Sequence, residues 1–157
     1  MNIEKLTIVI PAFNEEKTIH LILDRIKKVQ LVNNIEKEIL IINDCSTDNT
    51  EGAIYEYQQK NPDLGIIYFK HEKNKGKGAA IHTGINHATG EYLIIQDADL
   101  EYDPEEYNDL LKPVAKADAD VVYGSRFMGN NPHRILFFWH SIGNKILTFF
   151  SNMFSNL

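Results

Sequence analysis

The stretch LIIQDADLEYD, residues 93–103, decides the fold, because an apolar segment ends there in a cluster of acids. The run Tyr92–Ile95 predicts a buried strand. Four acids follow within seven residues: Asp97, Asp99, Glu101 and Asp103. Ligands of open α/β sheets bind at the carboxyl ends of the strands, so acids at this point predict a functional site.

The pair Asp97 and Asp99 is separated by a single residue. In an extended segment such residues project to the same side of the chain. Two carboxylates on one side suit Mg²⁺ or Mn²⁺, which prefer oxygen ligands and often also hold substrate phosphates. The alternative is a solvated acidic turn that leads into a helix capped by Asp103. The two aspartates alone do not distinguish a metal site from such a turn.

Strands and helices alternate along the chain. Apolar runs predict further strands at residues 6–10, with Pro11 as the stop, and at residues 38–42, 65–69 and 120–124. Apolar spacing and capping residues predict helices at residues 18–30, from 48 through 58, at 79–88 with Ile81 and Ile85 facing inward, and from Pro104 onward. This alternation predicts an α/β fold, a mostly parallel sheet with helices on both faces.

Polar residues follow strand after strand and should share one edge of the sheet: Asn14 and Glu15, Asn43 and Asp44, Asp97 and Asp99, and Arg126. The basic loop at residues 70–78 opens a helix. Its lysines, Lys75 among them, either hold phosphates or form a solvated helix start, since the two glycines match neither a dinucleotide nor a P-loop signature.

Composition narrows the class of protein. Among 157 residues 43% are hydrophobic and 24% charged, which is typical of one soluble globular domain. A net charge of −6 argues against a nucleic-acid partner. Cys45 is the only cysteine, which excludes an internal disulfide and a cysteine metal site. No signal-peptide layout and no apolar run of about 20 residues is present, so we expect a cytoplasmic protein.

Residues 134–157 predict an amphipathic helix rich in large aromatics, with apolar residues spaced by three and four. Such a helix packs on another part of the protein, lies in a membrane interface, or forms a homodimer surface. The sequence leaves these alternatives open.

Five segments carry a resemblance to a known family: residues 8–16, 42–48, 74–80, 96–100 and 124–127. In this order they resemble family 2 glycosyltransferases of the GT-A fold, most of all the polyprenyl-phosphate sugar transferases. The resemblance implies a nucleotide-sugar-binding GT-A domain at residues 1–130 and an amphipathic helix at 131–157. It also implies that the family's domain continues beyond Leu157.

The resemblance assigns roles to single residues. Contacts to the nucleotide sugar are expected from Pro11, Ala12, Asn14, Glu15, Asp44, Lys75, Asp97 and Ala98. Mg²⁺ or Mn²⁺ is expected at Asp97, Asp99 and Glu101. Asp99 and Arg126 are the expected catalytic residues, with the acceptor phosphate near Arg126 and Arg134.

The implied reaction is inverting transfer of a sugar from a UDP- or GDP-sugar to a polyprenyl phosphate at the cytoplasmic membrane face. A phosphate acceptor is already an anion and attacks without a general base. The alternatives are transfer to a sugar hydroxyl, which would need a carboxylate beyond Leu157, and a nucleotide-sugar-binding module without turnover. A nucleotidyltransferase ranks last, because its glycine-rich amino-terminal signature is absent.

Overall fold

The structure, a computed structural model, describes residues 3–116 and 119–122. In these ranges four strands form one parallel sheet in the order β3-β2-β1-β4, and they span Lys5–Ala12 (β1), Glu36–Asn43 (β2), Ile67–Lys70 (β3) and Tyr92–Ile95 (β4). The α/β class and the parallel sheet are confirmed. Residues 120–122 form no strand, so this part of the predicted fifth strand is wrong. The carboxy-terminal helix and the boundary at residue 130 lie outside the described residues and stay predictions.

Among the described residues, four α-helices connect or follow the strands: Ile19–Lys28 (α1), Thr50–Lys60 (α2), Lys77–His87 (α3) and Tyr107–Ala115 (α4). Short 3₁₀ turns occupy Val32–Asn34, Pro62–Leu64 and Pro104–Glu106. Asp103 caps the last of these turns, since its Oδ1 accepts the Glu105 N–H at 3.1 Å, as predicted. Within the described ranges no helix is long and apolar enough to span a bilayer.

The two faces of the sheet carry different helices. Ile8 and Ile10 of β1 and Ile39 and Ile41 of β2 pack with the apolar side of α1, whose inward residues are fully buried, and with α2 and α4. Val9, Leu40 and Ile42 point the other way and pack with Ala80 of α3. Alternation along each strand therefore supplies both layers of the core, and the prediction of helices on both faces is confirmed.

Small residues form the inner face of α3; the prediction that Ile85 faces inward is wrong, and Ile81 is half-buried. Ala80 and Gly84 are buried, whereas Ile85 is 50% exposed. The helix lies so close to β1 that a Cβ added at Gly84 would be 2.3 Å from Cγ1 of Val9. Close packing therefore selects the face with the smallest side chains, which the apolar period alone does not reveal.

Pro11 lies inside β1, so the prediction that it ends the strand is also wrong. The C=O of Val9 accepts the Gln96 N–H at 2.9 Å, while that of Ala12 accepts the Asp44 N–H at 2.9 Å on the β2 side. Backbone polar groups of successive residues in a strand point alternately to its two sides, so Pro11 points to the same side as Val9, toward β4. At Pro11 the strand β4 has already ended. The missing N–H therefore breaks no ladder bond.

The edge strand β4 is less buried than predicted. Its residues are half-buried or exposed, and Ile95 is 43% exposed. In the described sheet β4 pairs only with β1, so one side of the strand lacks a neighbouring strand.

A buried carboxylate ties the amino-terminal end of the sheet together. Glu38 accepts hydrogen bonds from the Thr7 hydroxyl at 2.6 Å and from the N–H and hydroxyl of Thr89 at 2.9 and 2.6 Å. Burial alone would raise the pKa of Glu38, but these hydrogen bonds outweigh it and hold the pKa below its ordinary value. Glu38 thus stabilises the fold as an ionised group.

The strand order reverses between β1 and β4. From β1 the chain proceeds outward to β2 and β3, and α3 then crosses the opposite face to place β4 on the free side of β1. In open α/β sheets the carboxyl ends at such a reversal form a crevice where ligands bind. We therefore expect a ligand site at the loops that follow β1 and β4.

Candidate functional site

A cavity of about 280 Å³ lies at the carboxyl ends of β1 and β4. Seven residues that the sequence singled out line it: Pro11, Ala12, Glu15, Asp44, Asp97, Ala98 and Asp99. They come from the carboxyl end of β1 and from the loops after β1, β2 and β4. The expectation that these polar residues meet at one sheet edge therefore holds for all three loops.

Five more residues line the same cavity: Phe13, Asn74, Gly76, Lys77 and Ala80. Gly76 and Lys77 belong to the basic loop that was considered for phosphate binding, whereas Phe13, Asn74 and Ala80 were not predicted. The Phe13 ring is 45% exposed, and an exposed aromatic face in a ligand cavity suits stacking against a planar group. Its position between Pro11 and Asn14 was a sequence signal that could have revealed it. Conversely, Asn14, Lys75 and Glu101 do not line the cavity, and Arg126 and Arg134 lie outside the described residues.

The loops after β1 and β2, at residues 14–16 and 46–50, are hydrogen-bonded to each other. Asn14 adopts a left-handed φ of 59°, and its Oδ1 accepts the N–H and hydroxyl of Thr47 at 2.8 and 3.1 Å. The Asn14 N–H donates to Ser46 Oγ at 3.0 Å, and the Glu15 N–H donates to Thr50 Oγ1 at 2.8 Å. The side-chain oxygen Oδ1 of Asn14 thus holds the loop that follows β2.

Asp44 is 3% exposed and accepts three hydrogen bonds from the loop after β3. Its Oδ1 accepts the backbone N–H of Lys75 at 2.9 Å and lies 2.7 Å from His71 Nδ1, while Oδ2 accepts the backbone N–H of Gly76 at 2.6 Å. Burial would raise the pKa of Asp44, but the hydrogen bonds from Lys75, His71 and Gly76 outweigh it and hold the pKa below its ordinary value. The carboxylate therefore anchors the loop that forms one cavity wall.

The loop after β4 is shaped by Gln96, whose role the sequence did not reveal. Gln96 is buried, and its Nε2 donates to the C=O of Asp97 and of Tyr102 at 3.0 and 3.2 Å. Its Oε1 accepts the Tyr107 hydroxyl at 2.7 Å. One buried amide thus ties the acidic loop to α4.

The two aspartates of this loop have different surroundings. Lys77 Nζ lies 2.6 and 2.7 Å from the two carboxylate oxygens of half-buried Asp97. Asp99 is exposed, and its Oδ1 accepts the Glu101 N–H at 3.0 Å. The segment is a turn rather than an extended strand, yet both carboxylates reach the same cavity.

A divalent cation would find two neighbouring carboxylates here rather than a complete protein cage. Across residues 3–116 and 119–122 no group of three His, Cys, Asp or Glu side chains could hold a metal ion, so Asp97, Asp99 and Glu101 do not form such a group. Mg²⁺ is commonly bound by one or two carboxylates, with water and substrate phosphates completing its shell. Asp97 and Asp99 fit that mode of binding.

Comparison with known proteins defines the class. Residues 7–152 match the profile of glycosyl transferase family 2, and the chain therefore belongs to this family. The predicted family and the GT-A fold are confirmed.

Two curated relatives carry names that specify a lipid acceptor. The chain is 32% identical over 131 residues to a dolichyl-phosphate beta-glucosyltransferase of Dictyostelium discoideum, with 77% of this chain covered. It is 35% identical over 122 residues to a prophage bactoprenol glucosyl transferase homolog of Escherichia coli, with 78% covered. The chain spans 39% of the length of each relative.

A solved structure shares the fold. A mannosyltransferase from Pyrobaculum calidifontis, in complex with GDP-Man and Mn²⁺, superposes with a TM-score of 0.64 at 28% identity. The match covers 73% of this chain and 33% of that one.

Proposed function

We propose that this chain binds a nucleoside diphosphate sugar, a UDP- or GDP-sugar, and passes the sugar with inversion to a polyprenyl phosphate. The observation that carries the proposal is the cavity at the strand reversal, where an exposed aromatic ring, a lysine and two aspartates converge. The relatives named for dolichyl phosphate and bactoprenol support the acceptor class. The neighbour in complex with GDP-Man and Mn²⁺ supports the donor class and a divalent cation.

The cavity offers separate surfaces for the two parts of a nucleotide. Pro11 and the exposed Phe13 ring provide an apolar wall against which a base can stack. Gly76 and Lys77, which also line the cavity, lie at the start of α3, where the helix dipole and a lysine ammonium favour phosphate. Ala12, Glu15 and Ala98 complete the contacts that we assign to the nucleotide sugar.

Catalysis in this proposal rests on charge rather than on a general base. Asp97 and Asp99 would hold Mg²⁺ or Mn²⁺, and a bound cation would supply Lewis-acid stabilisation for the charge on the departing nucleoside diphosphate. Lys77 adds a positive charge at the same place. The acceptor phosphate oxygen forms the new bond to C1 of the sugar while the bond from C1 to the diphosphate oxygen breaks. A single displacement of this kind inverts the configuration.

The acceptor side is proposed to lie in the carboxy-terminal part of the chain. Arg126 and Arg134 would hold the acceptor phosphate, because two anions approach each other only beside cations. The apolar residues at 135–157 would lie in the cytoplasmic membrane face or, alternatively, form a homodimer contact.

Calorimetric titration of UDP- and GDP-sugars, with and without Mn²⁺, tests the donor site. Wild-type protein should bind one of these donors more tightly with Mn²⁺, and Asp99→Ala should lose about tenfold or more of that gain, about 1.4 kcal/mol. Asp109→Ala is the matched control, because Asp109 is an exposed acid on α4 away from the cavity. Undiminished Mn²⁺-dependent binding by Asp99→Ala refutes the metal assignment.

A transfer assay then separates the acceptors. Product formed with a polyprenyl phosphate, and not with a sugar alcohol, supports the proposal. The opposite preference supports transfer to a hydroxyl group, and donor binding without either product supports a binding module without turnover.

A further inference from the structure

A buried histidine behind the cavity takes no part in the function proposed above. His71 directly follows β3, and its N–H donates to the C=O of Asn43 at 2.9 Å, which continues the strand pairing by one residue. Its side chain is 7% exposed. The ring lies 2.7 Å from Asp44 Oδ1 through Nδ1 and 2.9 Å from Thr83 Oγ1 through Nε2.

The direction of these hydrogen bonds follows from Asp44. Both of its oxygens already accept backbone N–H groups, from Lys75 on Oδ1 and from Gly76 on Oδ2, so the group acts as an ionised acceptor. The Nδ1 of His71 must therefore donate to it. In the neutral ring Nε2 then accepts the hydroxyl proton of Thr83, and the imidazole links the carboxylate to the middle of α3.

The carboxylate that His71 holds sets the start of α3. Gly76 has a φ of +87°, a conformation that disfavours side chains, and its C=O accepts the Ala79 N–H at 3.0 Å in the first turn. Lys77 is the next residue and reaches Asp97 across the cavity. Rotation of the Asp44 carboxylate would release the N–H groups of residues 75 and 76 together, and with them the cavity wall.

We propose that His71 is a positioning residue for the donor site, which fixes Asp44 against α3 so that Gly76 and Lys77 stand in place before the nucleotide sugar binds. The proposal rests on the cavity being the donor site. His71 itself does not line the cavity, so any effect on binding has to pass through Asp44 and its loop. Preorganisation of this kind lowers the entropy that binding has to overcome.

Two substitutions separate the two hydrogen bonds of the ring. His71→Asn places an amide NH₂ close to the former Nδ1 and keeps the bond to Asp44, whereas His71→Gln reaches toward Thr83 and loses Asp44. His82→Gln is the matched control, because His82 is an exposed histidine of α3 that bonds only to Asn86 among the described residues. Thr83→Val removes the second bond with little change in shape.

Amide hydrogen exchange in the nucleotide-free protein measures how often the N–H groups of residues 75 and 76 lose their hydrogen bonds to Asp44. We expect exchange about tenfold faster in His71→Gln, the factor set by one hydrogen bond to a charged group, and near wild type in His71→Asn and His82→Gln. Donor KM should rise by a similar factor in His71→Gln with kcat nearly unchanged, and Thr83→Val should show a smaller rise.

Unchanged exchange at residues 75 and 76 in His71→Gln overturns the proposal. So do equal losses of donor affinity and of melting temperature in His71→Asn and His71→Gln, which would indicate a purely structural side chain. If the wild-type protein binds no nucleotide sugar, the proposed function fails instead, and the exchange data still decide whether His71 holds the loop.

Discussion

Replacement of Gly84 by alanine should destabilise the protein, because α3 packs against β1 there without room for a methyl group. The added Cβ would lie 2.3 Å from Cγ1 of Val9, 2.9 Å from its Cγ2 and 3.2 Å from its Cβ. The Val9 Cβ would have to give by only a few tenths of an ångström, so the two valine methyl groups account for most of the overlap. While these methyl groups keep their positions, reaching the 3.4 Å of an ordinary contact from 2.3 Å requires helix and strand to separate locally by 1.1 Å.

The expected magnitude combines two opposing effects. Overpacking of a core typically costs about 1–3 kcal/mol, whereas alanine in place of glycine in a helix interior contributes about 1 kcal/mol. We therefore expect a net loss of about 1 kcal/mol, and at most about 2, in the free energy of unfolding from urea denaturation. Gly78→Ala is the control, because no described atom outside its own stretch of helix lies within 4 Å of its added Cβ; it should be neutral or stabilising by up to about 1 kcal/mol.

A double-mutant cycle with Val9→Ala tests the cause of this loss. Once the valine methyls are removed, Gly84→Ala should no longer destabilise, which gives a coupling free energy of about 1 kcal/mol or more. An equal cost of Gly84→Ala in both backgrounds would refute the packing argument. So would a comparable loss in Gly78→Ala.

Two further substitutions test the buried carboxylate and the cavity lysine. Because the folded pKa of Glu38 is depressed, its stabilisation is present above the unfolded pKa of about 4.3 and is lost as pH falls through the folded value. Glu38→Gln should therefore cost about 1–3 kcal/mol at pH 7 and flatten the acid part of a stability–pH curve, and an unchanged slope would contradict this. Lys77→Gln should weaken donor binding more than Lys75→Gln in calorimetry, most clearly at low salt; the reverse order would favour the sequence-based choice of Lys75.

Local sequence patterns located the four described strands, predicted a strand at residues 120–122 that does not form, and gave little information on how the strands are surrounded. Apolar runs located the four strands to within two residues at each end; for β1 and β2 the reason is that burial on both faces requires a continuous apolar segment. The same patterns did not show that β1 continues through Pro11. A proline is tolerated there because β4, which is distant in sequence, ends before it would need the missing N–H. They also gave the wrong inward face of α3, where the distance to β1 and not hydrophobicity selects Ala80 and Gly84.

The site was predictable as a set of loops but not as a set of contacts. Acids after strands must share one sheet edge in a parallel fold, and Asp44, Asp97 and Asp99 do line one cavity. His71 and Gln96 carry no local signal, because their partners depend on how distant loops pack; Asp44 is 27 residues from His71. Lys77 rather than Lys75 lines the cavity because α3 begins at residue 77.

The pairing of β1 with strands on both sides has a consequence for the order of folding. Leu6 pairs with Lys37 on one side and with Tyr92 on the other, so the second pairing closes a far longer stretch of chain. Loop-closure entropy grows with the length enclosed, and non-local pairings slow folding. A chain emerging from the ribosome presents β1, β2 and β3 before β4 exists. The nascent protein can therefore pair three of the four described strands early, while the cavity between β1 and β4 forms only once β4 is present.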